Sequence, residues 1–222
     1  MCGRFTMTVS ASVLADLFDI DEPQGYRPRF NIAPTQVVPV FRVGADEQRE
    51  WAPCRWGLIP SWAKDLKIGA RMINARSETA SEKPSFKKAM ASRRCLVPSD
   101  GFYEWAKTPD GKQPFHIRFS DRRAFAFAGL WERWHQKPGE IVESFTILTT
   151  SPNSVTAPIH DRMPVILAPG CWQEWLEASP LSPARRENLF APYSPDDMEA
   201  VAVSMRVNSP TNDDVGCLET SC

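Results

Sequence analysis

Proline decides what this chain can build. Twenty prolines are spread through 222 residues without clustering. Proline fixes φ and lacks a backbone donor, so each is expected to punctuate a loop or a strand edge. A chain of many short elements follows. No internal repeat and no low-complexity linker divides it, so one domain over 1–222 is expected.

Helical signals are few. Ser10 can cap a segment reaching about Phe18, with Val13, Leu14, Leu17 and Phe18 on one face. Residues 85–91 start a short helix after Pro84. Residues 170–178 put Trp172, Trp175 and Leu176 on one side, and 183–190 form a last helix. Strand signals are more numerous, at 37–43, 95–98, 115–119, 124–130, 145–150, 164–167 and 200–205. Alternation over 115–119 and 125–128 predicts half-buried antiparallel pairing. Strands and long helices do not alternate, which disfavours a doubly wound sheet. The predicted fold is α+β: a single domain with a curved, barrel-like antiparallel β core and peripheral helices.

Apolar residues make up 42% and charged residues 24%, the mix of an ordinary soluble globule rather than a disordered chain. No apolar run reaches the length of a bilayer span. The start, Met-Cys-Gly-Arg-Phe-Thr, lacks a basic region followed by an apolar one, so a cytoplasmic location is expected, nucleoid-associated if the source is bacterial. The six cysteines stand at 2, 54, 95, 171, 217 and 222, without Cys-x-x-Cys spacing, and only three histidines accompany them. No metal site is expected. Cys95 and Cys171 read as small buried hydrophobes, whereas Cys217 and Cys222 are candidates for exposure.

The formal charge of −1 hides an asymmetry. Residues 1–118 hold 18 Lys and Arg against 13 Asp and Glu, and the remainder hold 8 against 14. The densest basic stretch is 71–94. It suits an anionic partner on one face, or equally a solvated helix face.

Cys2 has a distinctive position. Removal of Met1 would leave an amine and a thiol on adjacent carbons, with reference pKa values of about 7.7–8.0 and about 8.5. Such an aminothiol condenses with an aldehyde to a Schiff base, and the thiol then closes a five-membered thiazolidine. A terminal cysteine can instead serve as a hydrolytic nucleophile, or be incidental. His160, in a loop beside Asp161 and Arg162, is an acid/base candidate or a hydrogen-bonded loop residue. Glu104 stands between Tyr103 and Trp105, where desolvation would raise its pKa, or it is a paired surface carboxylate. Asn74 and Arg76 alternate onto one side of an extended segment, suited to orienting a reacting group and holding a phosphate. Trp56 reads as core. Trp62 reads as more exposed and able to stack on a base.

Seven motifs then stand in order: Cys2-Gly-Arg-Phe, Phe30-Asn-Ile-Ala-Pro, Arg55-Trp-Gly-Leu-Ile-Pro-Ser-Trp, Ile73-Asn-Ala-Arg-Ser-Glu-Thr, Arg94-Cys-Leu-Val-Pro-Ser-Asp-Gly-Phe-Tyr-Glu-Trp, Phe145-Thr-Ile-Leu-Thr-Thr and Ile159-His-Asp-Arg-Met-Pro. Over 2–167, with a weaker echo near 203–208, the chain resembles the SOS response-associated peptidase (SRAP) family. The resemblance implies recognition of abasic sites in single-stranded DNA. It implies covalent trapping through the terminal cysteine, which protects the lesion during replication. It further implies a positively charged cleft, no cofactor and a monomer. Carried over by position, Cys2 is the nucleophile and Asn74 positions it or the adjacent phosphate. Glu104 assists ring opening of the sugar, and His160 promotes Schiff-base chemistry. Arg4, Arg76 and Arg162 match phosphate contacts; Pro34, Trp62 and Thr149 match positions lining the DNA path. One departure is Ala63, where some bacterial relatives have a second Trp. The competing readings are a thiol autopeptidase using Cys2, and a non-catalytic single-stranded DNA-binding module.

Overall fold

The structure, a computed structural model, describes residues 2–44, 46–109, 111–137 and 139–221. In chain order the elements are β1 (Arg4–Met7), α1 (Ala11–Phe18), β2 (Arg29–Ile32), β3 (Val37–Val43), β4 (Arg49–Trp56), β5 (Asn74–Arg76), α2 (Lys87–Ser92), β6 (Arg94–Ser99) and β7 (Gly101–Thr108). They continue as β8 (Gly111–Phe119), β9 (Phe125–Lys137), β10 (Glu140–Thr150), β11 (Met163–Pro164), β12 (Ile166–Leu167), α3 (Trp172–Leu176), α4 (Pro183–Leu189) and β13 (Met198–Ala202).

Five strands close into a ring. β4, β3, β6, β9 and β10 pair in that order, and β10 returns to β4. Every junction is antiparallel except the last, where β10 runs parallel to β4 through Ser144↔Arg55 and Phe145↔Trp56. A second sheet has the order β13-β8-β7-β1-β2 and is antiparallel throughout. The fold is the expected α+β, with the ring as its curved core and short helices outside.

The two sheets share one core. The Phe5 ring lies 5.1 Å from that of Trp56 and 6.0 Å from that of Phe127, and Phe102 lies 6.0 Å from Phe127. All four side chains are fully buried. Truncating one such ring to alanine costs about 3–5 kcal/mol, because the cavity left behind relaxes only partly. The chain crosses from ring to sheet at Asp100, between β6 and β7. Its carboxylate accepts from Thr6 Oγ1 at 2.5 Å, Thr8 N–H at 2.6 Å and Val9 N–H at 3.1 Å, which pins the exit of β1. Gly101 follows because a Cβ there would lie 2.1 Å from His116 Nε2.

The sequence reading holds for α1. Ser10 Oγ accepts from Val13 N–H at 3.3 Å, and Leu14 and Phe18 are buried. The later helices are shorter than expected. The segment at 85–91 becomes helical only at Lys87, since Phe86 offers no capping side chain. The strand expected at 164–167 is two two-residue pairings, one to β10 and one to β9, separated by Val165. β1, β2, β4 and β7 carried no recognised alternation. Prolines are also not confined to loops and edges: Pro39 in β3 faces Pro53 in β4. That puts both missing donors on one rung of the ladder.

Several single-residue expectations are corrected. Arg94 is not part of a basic surface; it is buried and donates to the carbonyls of Met90 at 3.1 Å and Ser179 at 2.9 Å, among others. It thereby satisfies orphan carbonyls near the ends of α2 and α3. Arg93 pairs with Glu132 at 2.9 Å. Cys217 is fully buried rather than exposed, and Cys171 is only partly buried. Cys222 lies outside the described residues.

Candidate functional site

Cys2 stands two residues before β1. The register Arg4↔Tyr103 runs this end of the chain alongside Glu104 on β7. On the ring side, β5 lies parallel to β10 through Ile147↔Asn74 and Thr149↔Arg76. The segment leading into it is held by Trp56 Nε1, which donates to the Ile73 carbonyl at 2.9 Å. From this position Asn74 Nδ2 donates to the Cys2 carbonyl at 2.7 Å. One amide therefore ties the start of the second sheet to the ring.

His160 comes from the loop after β10. Its backbone N–H donates to the Thr156 carbonyl at 2.9 Å, and Asn153 Oδ1 accepts from the Thr156 N–H at 3.0 Å. Its Nδ1 accepts from the Arg162 N–H at 3.0 Å and also lies 3.0 Å from Asp161 Oδ1. These two contacts belong to different protonation states. With Nδ1 accepting, the neutral ring carries its proton on Nε2; the carboxylate contact is a hydrogen bond only when a proton sits on Nδ1.

Charge and burial shape this corner. Glu104 is 3% exposed, and burial raises its carboxyl above the usual range, while a charged His160 pulls it back down. The Cys2 thiol is fully buried, and its pKa is pushed far up, by burial first and then by the negative charge of Glu104. A thiol in such surroundings is protonated and a poor nucleophile. The expectation of a partly ionised thiol concerns the chain after loss of Met1, a residue outside the described ones.

A second cluster adjoins the first. Arg162 Nη1 and Nη2 grip Glu78 at 2.6 and 2.8 Å, and Nη2 also donates to the Thr149 carbonyl. Arg76 is exposed, and among the described residues its guanidinium makes no hydrogen bond or ion pair. Arg4 is half-buried and turned elsewhere, donating to Asn31 Oδ1 at 3.0 Å and the Val207 carbonyl at 2.8 Å. Trp62 is 57% exposed, as read from the sequence, whereas Trp56 is buried. Pro34 is half-buried. Neither Pro34 nor Trp62 makes a side-chain hydrogen bond or ring contact to the two clusters.

Sequence reasoning did not single out Glu78, Asn31, Asn153 or Thr156. Glu78 had a signal, standing two residues after Arg76 in the same motif; Asn153 and Thr156 build a local turn before His160, and Asn31 acts through contacts distant in sequence. Buried polar atoms without a partner gather here: Asn74 Oδ1, Thr79 Oγ1, Thr149 Oγ1, Thr156 Oγ1 and Arg162 Nε. Among the described residues no group of three or more His, Cys, Asp or Glu is placed to hold a metal. No described helix is long and apolar enough to cross a membrane.

The molecule is thus an α+β protein in which Asn74 holds the backbone of a buried Cys2, with Glu104 close enough to act on its thiol. The chain belongs to the SOS response associated peptidase (SRAP) family, whose model matches residues 1–210. It is 45% identical over 225 residues to the abasic site processing protein YoqW of Bacillus subtilis, covering 99% of this chain and 100% of that one. It is 31% identical to the abasic site processing protein HMCES of Gallus gallus, covering 98% of this chain and 77% of the relative. Among solved structures, a protein of Bacteroides thetaiotaomicron superposes with a TM-score of 0.88 at 28% identity, covering all of both chains. A Bordetella bronchiseptica protein gives 0.79 at 27% identity, covering 92% of this chain and 100% of that one.

Proposed function

We propose that the protein processes abasic sites in DNA, binding the lesion in single-stranded DNA and trapping its aldehyde covalently through Cys2 after loss of Met1. The observation that carries this reading is the hydrogen bond from Asn74 to the Cys2 carbonyl, made within the electrostatic reach of Glu104 and His160. It holds the backbone of a buried cysteine, as a reaction of that residue's amine requires. The names of the relatives agree with it.

The abasic sugar is mostly a closed hemiacetal, so the aldehyde must first be released. The raised carboxyl of Glu104 suits protonation of the ring oxygen, and the carboxylate left behind can take a proton from the amine. The amine attacks the aldehyde carbon and water leaves as the Schiff base forms. His160 serves the proton transfers of the carbinolamine. The Cys2 thiol then adds across the C=N bond, its proton passing to nitrogen, and the thiazolidine closes. The protonated thiol suits this order, with the amine reacting first. A purely non-catalytic binding module leaves the Cys2–Asn74 arrangement without a use.

The test is intact mass spectrometry and denaturing electrophoresis after mixing the protein with an abasic single-stranded oligonucleotide. The expected adduct has the mass of protein plus DNA less one water and survives heating. Cys2→Ser should form only a Schiff base, which needs borohydride to survive. A heat-stable adduct from Cys2→Ser without reductant would overturn the mechanism.

A further inference from the structure

Arg162 has nearly exhausted its donors on the protein. Both of its Nη atoms hold the Glu78 carboxylate, Nη2 also holds the Thr149 carbonyl, and Nε is buried without a partner. That leaves the Nε hydrogen, which is buried, and one Nη1 hydrogen, so no free two-pronged edge faces an incoming anion. A phosphate prefers the same two-pronged edge that Glu78 now fills. The two ends of the pair differ in freedom. The Glu78 side chain is 53% exposed and that of Arg162 is 12% exposed. The carboxylate can therefore rotate into water while the Thr149 carbonyl keeps the guanidinium in place.

We infer that Glu78 is a built-in stand-in for phosphate: it occupies Arg162 until a DNA backbone phosphate displaces it, so it sets the affinity and salt response of binding. This rests on the proposed DNA reading of the site. The exchange breaks one bidentate ion pair and makes another, with no covalent change. Its consequence is selectivity. A lone anion gains little by evicting Glu78, whereas a strand held at other positions as well can complete the exchange.

The test uses a single-stranded oligonucleotide carrying a tetrahydrofuran abasic analogue, which binds but cannot react. Affinity is measured by fluorescence anisotropy across a salt series. Glu78→Gln should bind about 2–5-fold more tightly, the scale of a largely exposed ion pair no longer opposing the ligand. Its salt dependence should steepen by up to roughly 0.7, because the wild type gives up an ion pair for the phosphate contact and the variant does not. Glu82→Gln removes the same charge from an exposed neighbour that does not touch Arg162 and should gain less. In an Arg162→Ala background, Glu78→Gln should gain no more than Glu82→Gln does. Weaker binding by Glu78→Gln would show that the carboxylate positions Arg162 and would overturn the inference. Equal gains from Glu78→Gln and Glu82→Gln would also overturn it, as generic charge. A wild-type protein that neither binds this strand nor cross-links a reactive abasic strand fails the DNA reading itself. One that cross-links while Glu78→Gln gains nothing fails this inference alone.

Discussion

At the residue scale the site turns on two buried groups that resist charge. Glu104 is the clearer case, because burial raises its carboxyl. A raised folded pKa means that the folded state holds its proton to higher pH than the unfolded chain does. Stability from this group is complete below the unfolded value of about 4.3 and is lost as pH rises through the folded value. Glu104→Gln should therefore be more stable than wild type at pH 7, with the difference vanishing toward pH 4; urea midpoints at the two pH values measure this. The same variant should form adduct about 10²–10⁴-fold more slowly on a cyclised sugar, the scale of a lost general acid. It should lose less on an aldehyde that cannot cyclise, and equal losses on both would remove ring opening from its role. Asn74→Ala should slow adduct formation by roughly 10²-fold with little change in DNA affinity, since positioning rather than binding is lost. Cys2, Asn74, Glu104 and His160 stood out in the sequence as chemically capable residue types, and the structure brings Asn74 to the Cys2 carbonyl. Glu78 did not stand out, because a carboxylate's partner is a fact of space.

At the element scale, β1 is the member that must be held, because Cys2 precedes it. Its clamp is a buried chain from Asp100 through Thr6 Oγ1 to His116 Nε2 on β8, the last contact at 3.0 Å. His116 is 3% exposed, and burial pushes it down to about 3 from an ordinary 6.5. The folded state thus binds this proton less readily than the unfolded chain. Stability is complete above the unfolded value and is lost as pH falls from about 6.5 toward 3. At pH 5 the penalty is about 2 kcal/mol. His116→Gln should flatten the fall in unfolding free energy between pH 7 and 5, as read from denaturant titrations at each pH. An unchanged slope would mean that another group carries the acid sensitivity. The sequence showed His116 inside an alternating strand, and the strand is there. The strands β1, β2, β4 and β7 escaped notice because they form through pairing rather than through their own alternation.

At the scale of the whole molecule, the net charge of −1 makes bulk attraction to DNA negligible, so binding depends on where the cations sit. Arg93 is paired with Glu132 and Arg94 is buried, whereas Arg76 is exposed and makes no hydrogen bond or ion pair among the described residues. An abasic site within a continuous duplex must be unstacked at a cost of a few kcal/mol. Single strands should therefore react faster than matched duplexes, and raising salt should slow both. Arg76→Ala should reduce the salt slope on single strands by roughly 0.7. Rates from quenched time courses at several salt concentrations check both statements, and equal rates on the two substrates would count against a short cleft.

What the sequence determined by itself is what one residue or a few neighbours can decide. Scattered prolines limit element length. Ser10 starts a helix by satisfying a local N–H. Alternation marks β8 and β9, and an aminothiol is latent in Met-Cys. What only the tertiary structure decided is what depends on partners far along the chain. The parallel return of β10 to β4 closes the ring. Asn74 reaches Cys2 across 72 positions, Glu78 meets Arg162 across 84, and the Cys2 thiol is buried, which raises its pKa. The physical reason is range: propensity and capping act within a turn or two of backbone, whereas desolvation and ion pairing depend on which distant atoms the fold brings within a few ångströms.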